Sequence, residues 1–140
     1  MRLDEVVKFI WFLRVLTNRR QLSIATMTIG KGAVIVSPAG NESRGGVRVP
    51  ITSPYSVARG VIPVGGVENT DAGNKIADFS NSYPSLSALG VSITVAKLNE
   101  GLQQINGTTP ACAYVAGVAA LWWQALRERD RNSLVTAHGV

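Results

Sequence analysis

The stretch Ile105–Arg129, INGTTPACAYVAGVAALWWQALRER, decides how the rest of the chain is read. A polar turn, Asn106-Gly107, runs into two hydroxyl residues and then Pro110, whose missing N–H is tolerated in the first turn of a helix. A helix is therefore expected to begin near Thr109 and to end around Arg127 to Arg131. Ala113, Ala116, Gly117, Ala119 and Ala120 allow close approach, while Val115, Val118, Leu121 and Trp122 supply apolar bulk all round. That pattern predicts a long buried helix near the C-terminus. Gly117 costs about 1 kcal/mol of helix propensity relative to alanine, so close packing is expected there. Adjacent Trp122 and Trp123 cannot share one narrow face, so one is expected in the core and the other at the periphery.

The segment Asn106–Gly117 resembles the nucleophile motif of the subtilisin-like serine peptidases, GTSMASPHVAG. Placed residue by residue, the resemblance puts Thr109 on the catalytic serine, Pro110 on the methionine, Cys112 on the second serine, Ala113 on the proline and Tyr114 on the histidine. The nucleophile position is degenerate. A threonine hydroxyl can attack an acyl group, but its methyl crowds the oxygen and it still needs a base and a carboxylate behind that base. The single histidine, His138, lies in the polar tail, away from the motif.

Further matches follow in order. Ala33 to Asn41, AVIVSPAGN, resembles the family's strand ending in AAGN, which implies that Asn41 occupies the oxyanion-hole position. Its amide could donate to charge developing on a carbonyl oxygen. On local sequence alone Asn41 is a turn residue beside Gly40. Ser53 to Val67 resembles the proline-containing loop and strand, with Val61, Ile62 and Val64 in the strand. Ile76 to Ser80 and Ser87 to Ile93 resemble the ASFS-like and APGVSI segments, with Leu89 in place of proline. Glu42 to Pro50 reads as an exposed loop turning at Gly45-Gly46, and Glu68 to Lys75 as a polar hairpin-like loop.

The resemblance implies an α/β fold: a partial subtilisin-like domain, with a mostly parallel sheet, flanking helices and the long helix above. It covers roughly Gly32 to Trp123 and corresponds to the C-terminal half of the family's catalytic domain. The family's aspartate and histidine motifs belong upstream, where this chain has only Met1 to Gly32 and no matching residues. Three segments are expected: an apolar and basic leader helix over 1–20, the partial domain over 21–131 and a polar tail over 132–140.

Composition narrows the functions. With 140 residues, 46% hydrophobic and 16% charged, the chain can form one packed domain. The net charge of +5 comes from dispersed bases. Nucleic-acid binding, which needs bases converging on one face, is disfavoured. A membrane role is also disfavoured and could arise only through residues 1–20, where Lys8 and Arg14 interrupt the apolar run. No cofactor motif appears, and the carboxylates of 68–75 lack the spacing of a calcium loop, so neither cofactor nor metal is expected. Cys112 reads as a small apolar filler.

The partners left open are a second copy of the chain, a complementary polypeptide and a peptide ligand. Three functional readings follow. The first is a catalytically incomplete protein or fragment with a structural, regulatory or partner-binding role. The second is a peptide-bond hydrolase subunit whose acid and base come from another polypeptide. The third is a membrane or nucleic-acid module.

Overall fold

The computed structural model describes residues 33–129. The expected leader helix over 1–20 and the tail over 132–140 lie outside the described residues.

Strand β2 (Val61–Thr70) is the axis of the fold. Its first half, Val61-Ile-Pro-Val64, is flanked by β1 (Ile35–Pro38) in parallel, with Ile35 opposite Val61 and Pro38 opposite Val64. Its second half pairs antiparallel with β3 (Gly73–Ile76). On its other side β4 (Leu86–Leu89) runs parallel, from Val64 opposite Leu86 to Val67 opposite Leu89. Val64 therefore has Pro38 on one side and Leu86 on the other, and Val67 has Ile76 and Leu89. Strands β1 and β3 thus follow one another along the same edge of β2. A separate antiparallel pair joins β5 (Ile93–Ala96) to β6 (Leu102–Ile105).

The expectation of a mostly parallel sheet is corrected by this pairing. The four-stranded sheet is mixed, and the second sheet is antiparallel. The reason lies in the segment 68–75. The expected hairpin-like loop is a tight hairpin of two paired strands, in which Asp71-Ala72 and Gly73, at φ 105°, reverse the chain, and Lys75 meets Glu68 at 3.0 Å. Two connecting residues can reverse a strand but cannot make the crossover that a parallel pair requires.

Helix α1 (Thr108–Arg129) packs against β1, β2 and β4. Among the described residues it is the only helix, so the expected flanking of both faces is not seen there. Val36, Val64, Ala111 and Cys112 form the shared core, with Ile62, Ala88, Val115 and Ala116 around it. Burial pushes the Cys112 thiol up to about 11, as expected for a filler without a charge partner.

The all-round burial expected of this helix is corrected as well. Thr108, Pro110, Ala111, Cys112 and Trp123 are buried, whereas Tyr114, Val118, Leu121 and Trp122 face outward. The two tryptophans divide as their adjacency requires, Trp123 inward and Trp122 outward. Apolar bulk on every side of a helix shows that each side resists water, and the described residues cover only one of them.

Candidate functional site

The site is assembled by glycines. Gly90, at the end of β4, takes its N–H to Val67 O (2.9 Å), and its own carbonyl accepts from Gly107 N at 2.8 Å. A Cβ on Gly90 would stand 2.6 Å from Gly107 O and 3.2 Å from Gly66 Cα. Three backbones therefore touch without side chains between them, and the turn that opens α1 is seated directly on the sheet. Gly40 is the fourth such position. Its φ is 107°, and a Cβ there would collide with Asn81 and the carboxylate of Glu42, so only glycine lets the chain bend from β1 into Asn41.

Asn81 holds the other side of this bend. Its Oδ1 accepts from Glu42 N (3.1 Å), Ser43 N (3.2 Å) and Ser43 Oγ (3.3 Å), and its Nδ2 donates to Ala39 O and to Glu42 Oε2. At 2% exposure it is a buried polar hub with every capacity used, which is what keeps its burial tolerable. The sequence reading passed over Asn81. Its signal, an asparagine directly after the ASFS-like stretch, is indistinguishable locally from a turn residue.

Asn41 and the start of α1 then meet. Asn41 Oδ1 accepts from Thr108 N at 2.8 Å and from Thr108 Oγ1 at 3.0 Å, and Thr108 Oγ1 accepts from Gly40 N at 3.2 Å. One of the first-turn N–H groups of the helix is thereby satisfied by a side chain across the fold. Two donors on Oδ1 also fix which way the carboxamide faces, so Nδ2 is aimed away from Thr108. A Cβ on Gly107 would lie 3.4 Å from Asn41 Nδ2 and 3.7 Å from the Thr109 backbone nitrogen. Two N–H-bearing atoms therefore border one small space that the absence of a side chain leaves open.

Asn41 thus lies beside the opening of α1, bonded to Thr108 and next to Thr109. Thr109 is half-buried at the second position of α1. Among the described residues no side chain hydrogen-bonds its hydroxyl. His138 lies outside the described residues. No group of three or more histidine, cysteine or carboxylate side chains gathers among them in a way that could hold a metal. No helix among them is long and apolar enough to cross a membrane.

A loop turns next to the site. Arg44 donates to the carbonyls of Asn41 and Ser43, both at 2.6 Å, and Asp78 accepts from Gly45 N (3.0 Å) and Gly46 N (3.3 Å). These two backbone donors hold the Asp78 carboxyl below its ordinary pKa, helped by Arg48 and Arg44.

An asparagine just past β1 is thus locked onto the glycine-threonine turn that opens α1, on a scaffold of α/β topology. Comparison with known proteins gives the family. Residues 16–137 match the model of the Subtilase family, and the chain belongs to that family.

The chain is 34% identical over 99 residues to a cuticle-degrading serine protease of Arthrobotrys oligospora, which covers 67% of this chain and 22% of that protein. It is 33% identical over 99 residues to a cuticle-degrading serine protease of Orbilia oligospora, covering 67% and 21%. Among solved structures it resembles Sphericase, at a TM-score of 0.72 and 23% identity over 91% of this chain and 44% of that one. The prenylagaramide maturation protease PagA gives 0.69 and 24% over 90% and 44%. These likenesses are of fold. The chain spans about a fifth of the length of the first relatives and under half of the solved chains.

Proposed function

We propose that this polypeptide is a catalytically incomplete subtilase segment that binds an extended peptide in a structural or regulatory role. The observation that supports this most is that Asn41 Nδ2 and the Thr109 backbone nitrogen border one space beside Gly107, next to a Thr109 hydroxyl that meets no side-chain proton acceptor among the described residues. Two N–H-bearing nitrogens bordering one space suit a peptide carbonyl oxygen. Acyl transfer asks for more: the hydroxyl proton must pass to a base as the new bond forms, and residues 33–129 contain no histidine. Thr109 stands on the nucleophile position of the family motif, where its methyl group further restricts attack.

The experiment uses the purified chain with capped heptapeptides and a fluorophosphonate probe. The expected result is saturable peptide binding that weakens at least tenfold in Asn41→Ala, with no probe labelling in the parent or in Thr109→Ala. Thr109-dependent labelling or turnover would overturn the inactive reading. Failure to bind any peptide would overturn the binding reading.

A second reading is carried by coverage. The chain spans only 22% and 21% of the curated relatives. Under it, this segment contributes Thr109 and Asn41 while another polypeptide, or further sequence, contributes the acid and base. Labelling that appears only when such a partner is added back would favour it.

A further inference from the structure

Three consecutive residues hold the turn that opens α1, and each is tied to a different part of the fold. Thr108 N donates to Asn41 Oδ1 at 2.8 Å, beyond the end of β1, and Gly107 N donates to Gly90 O at 2.8 Å, beyond β4. Asn106 makes the third tie: its side-chain Oδ1 accepts from Ser92 N at 2.7 Å, just ahead of β5. Asn106 and Ser92 are both exposed, so this bond satisfies no buried group. Ser92 nevertheless holds φ 55°, in the left-handed region that residues with side chains rarely adopt. Such a conformation persists where the surroundings over-determine it. Here those surroundings are Gly90, fixed by its bonds to Val67 O and Gly107 N, and the Asn106 carboxamide.

The geometry gives this tie a purpose. Gly107 has no side chain that packing could grip, so its place is set by backbone bonds. Alone, the bond from Gly107 N to Gly90 O is a pivot about which the turn rotates. A second bond, from the preceding residue of the turn to Ser92, removes that rotation. Gly107 in turn stands between the two nitrogens of the candidate site, since a Cβ on it would lie 3.4 Å from Asn41 Nδ2 and 3.7 Å from Thr109 N. Rotation of the turn would change both distances and pull Thr108 N from Asn41 Oδ1.

We propose that Asn106 is a positioning residue of this site. By bonding Ser92 it fixes the angle of the 106–108 turn, so that Asn41 Nδ2 and Thr109 N are in place before any peptide carbonyl arrives. The proposal rests on the peptide-binding reading above and adds to it a residue that acts through the turn. Groups ordered in advance need no ordering on binding, and the difference appears as affinity. It scarcely appears as stability, because water takes over the exposed Ser92 N–H once the carboxamide is removed.

The test compares the full chain with Asn106→Ala and Asn106→Asp by binding of capped heptapeptides, urea unfolding and amide hydrogen exchange followed by NMR. Asn106→Ala should weaken binding about tenfold and speed exchange at Gly107 and Thr108 by about the same factor. The buried Val36 and Val64 amides and the urea midpoint should stay unchanged. Asn106→Asp keeps an oxygen that accepts from Ser92 N, and it should restore slow exchange at Gly107 and Thr108.

Three results would overturn the proposal. One is unchanged exchange at Gly107 and Thr108 in Asn106→Ala. Another is an equal acceleration at Val36 and Val64, which would make Asn106 a general stabiliser of the domain. The third is faster exchange at the turn with peptide affinity unaltered. A parent chain that binds no heptapeptide would overturn the peptide-binding reading and the role of Asn106 in it together, and the exchange pattern distinguishes that failure from a turn that does not depend on Asn106.

Discussion

Replacing Thr108 with valine removes one oxygen and nearly nothing else. The side chain is fully buried and the two residues have almost the same shape, so packing is preserved. Two hydrogen bonds go with the hydroxyl: the one it donates to Asn41 Oδ1 at 3.0 Å and the one it accepts from Gly40 N at 3.2 Å. The first is a net loss of about 1 kcal/mol, because Asn41 Oδ1 still accepts from Thr108 N. The second leaves the Gly40 N–H unpaired in a partly buried bend, at about 1–2 kcal/mol. The sum is about 2–3 kcal/mol, or roughly 8 °C in Tm for a domain of this size. Thermal unfolding followed by circular dichroism measures it, with Thr108→Ser as the control that keeps the oxygen and should recover most of the loss. A double-mutant cycle with Asn41→Ala should show positive coupling, since the residues share one network. A Thr108→Val chain that melts within 1 °C of the parent would refute the claim that this hydroxyl holds Asn41 in place.

Gly90→Ala puts a methyl 2.6 Å from Gly107 O, a backbone atom that must move, so it should cost about 1–3 kcal/mol and weaken peptide binding together with stability; unchanged melting and binding would contradict the packing of the 106–108 turn. Glu100 holds φ 86° between Asn99 and Gly101 in the β5–β6 turn, and Glu100→Gly should raise stability by up to about 1 kcal/mol in urea unfolding, with no effect on binding. Asp78 has a folded-state pKa below its ordinary value, so its contribution is present above the unfolded pKa near 4 and is lost as pH falls through the lower folded one. Unfolding measured from pH 6 to pH 2 should therefore show an acid-dependent loss that Asp78→Asn lacks. Cys112 is fully buried with its pKa pushed to about 11, so a thiol reagent at pH 8 should react only in denaturant.

Local chemistry made half of this structure readable. Pro110 behind Gly107 fixes a helix start within one residue of where α1 begins, at Thr108. Val61, Ile62 and Val64 mark β2, and Gly45-Gly46 mark the turn between Arg44 and Val47. Asn41 and Thr109 were brought to one site by the order of resembling segments, because their local letters are only those of turns. Direction of pairing was not readable, since a strand's sequence says which residues resist water and little about which neighbour runs beside it. The polar letters of 68–75 showed a hairpin-like reversal but not that its arms pair as strands, and the β5–β6 pair escaped for a related reason: exposed strands need no apolar alternation.

The helix shows where such reading stops and what the mismatch means. A sequence apolar on every side is consistent with burial in a large core, but it is equally consistent with burial in two stages, one face against the sheet and one against something else. The first stage is visible in Ala111 and Cys112 against Val36 and Val64. The second is not supplied by residues 33–129, yet Tyr114, Val118 and Leu121 retain the strict four-and-three spacing of a seam. Either face can be tested alone: Cys112 substitutions should act on unfolding, whereas Leu121→Glu, on a side chain already in solvent, should leave unfolding of the dilute chain unchanged. If Leu121→Glu instead lowered the Tm of the dilute chain, the outer face would belong to the fold itself, and the two-stage account would fail.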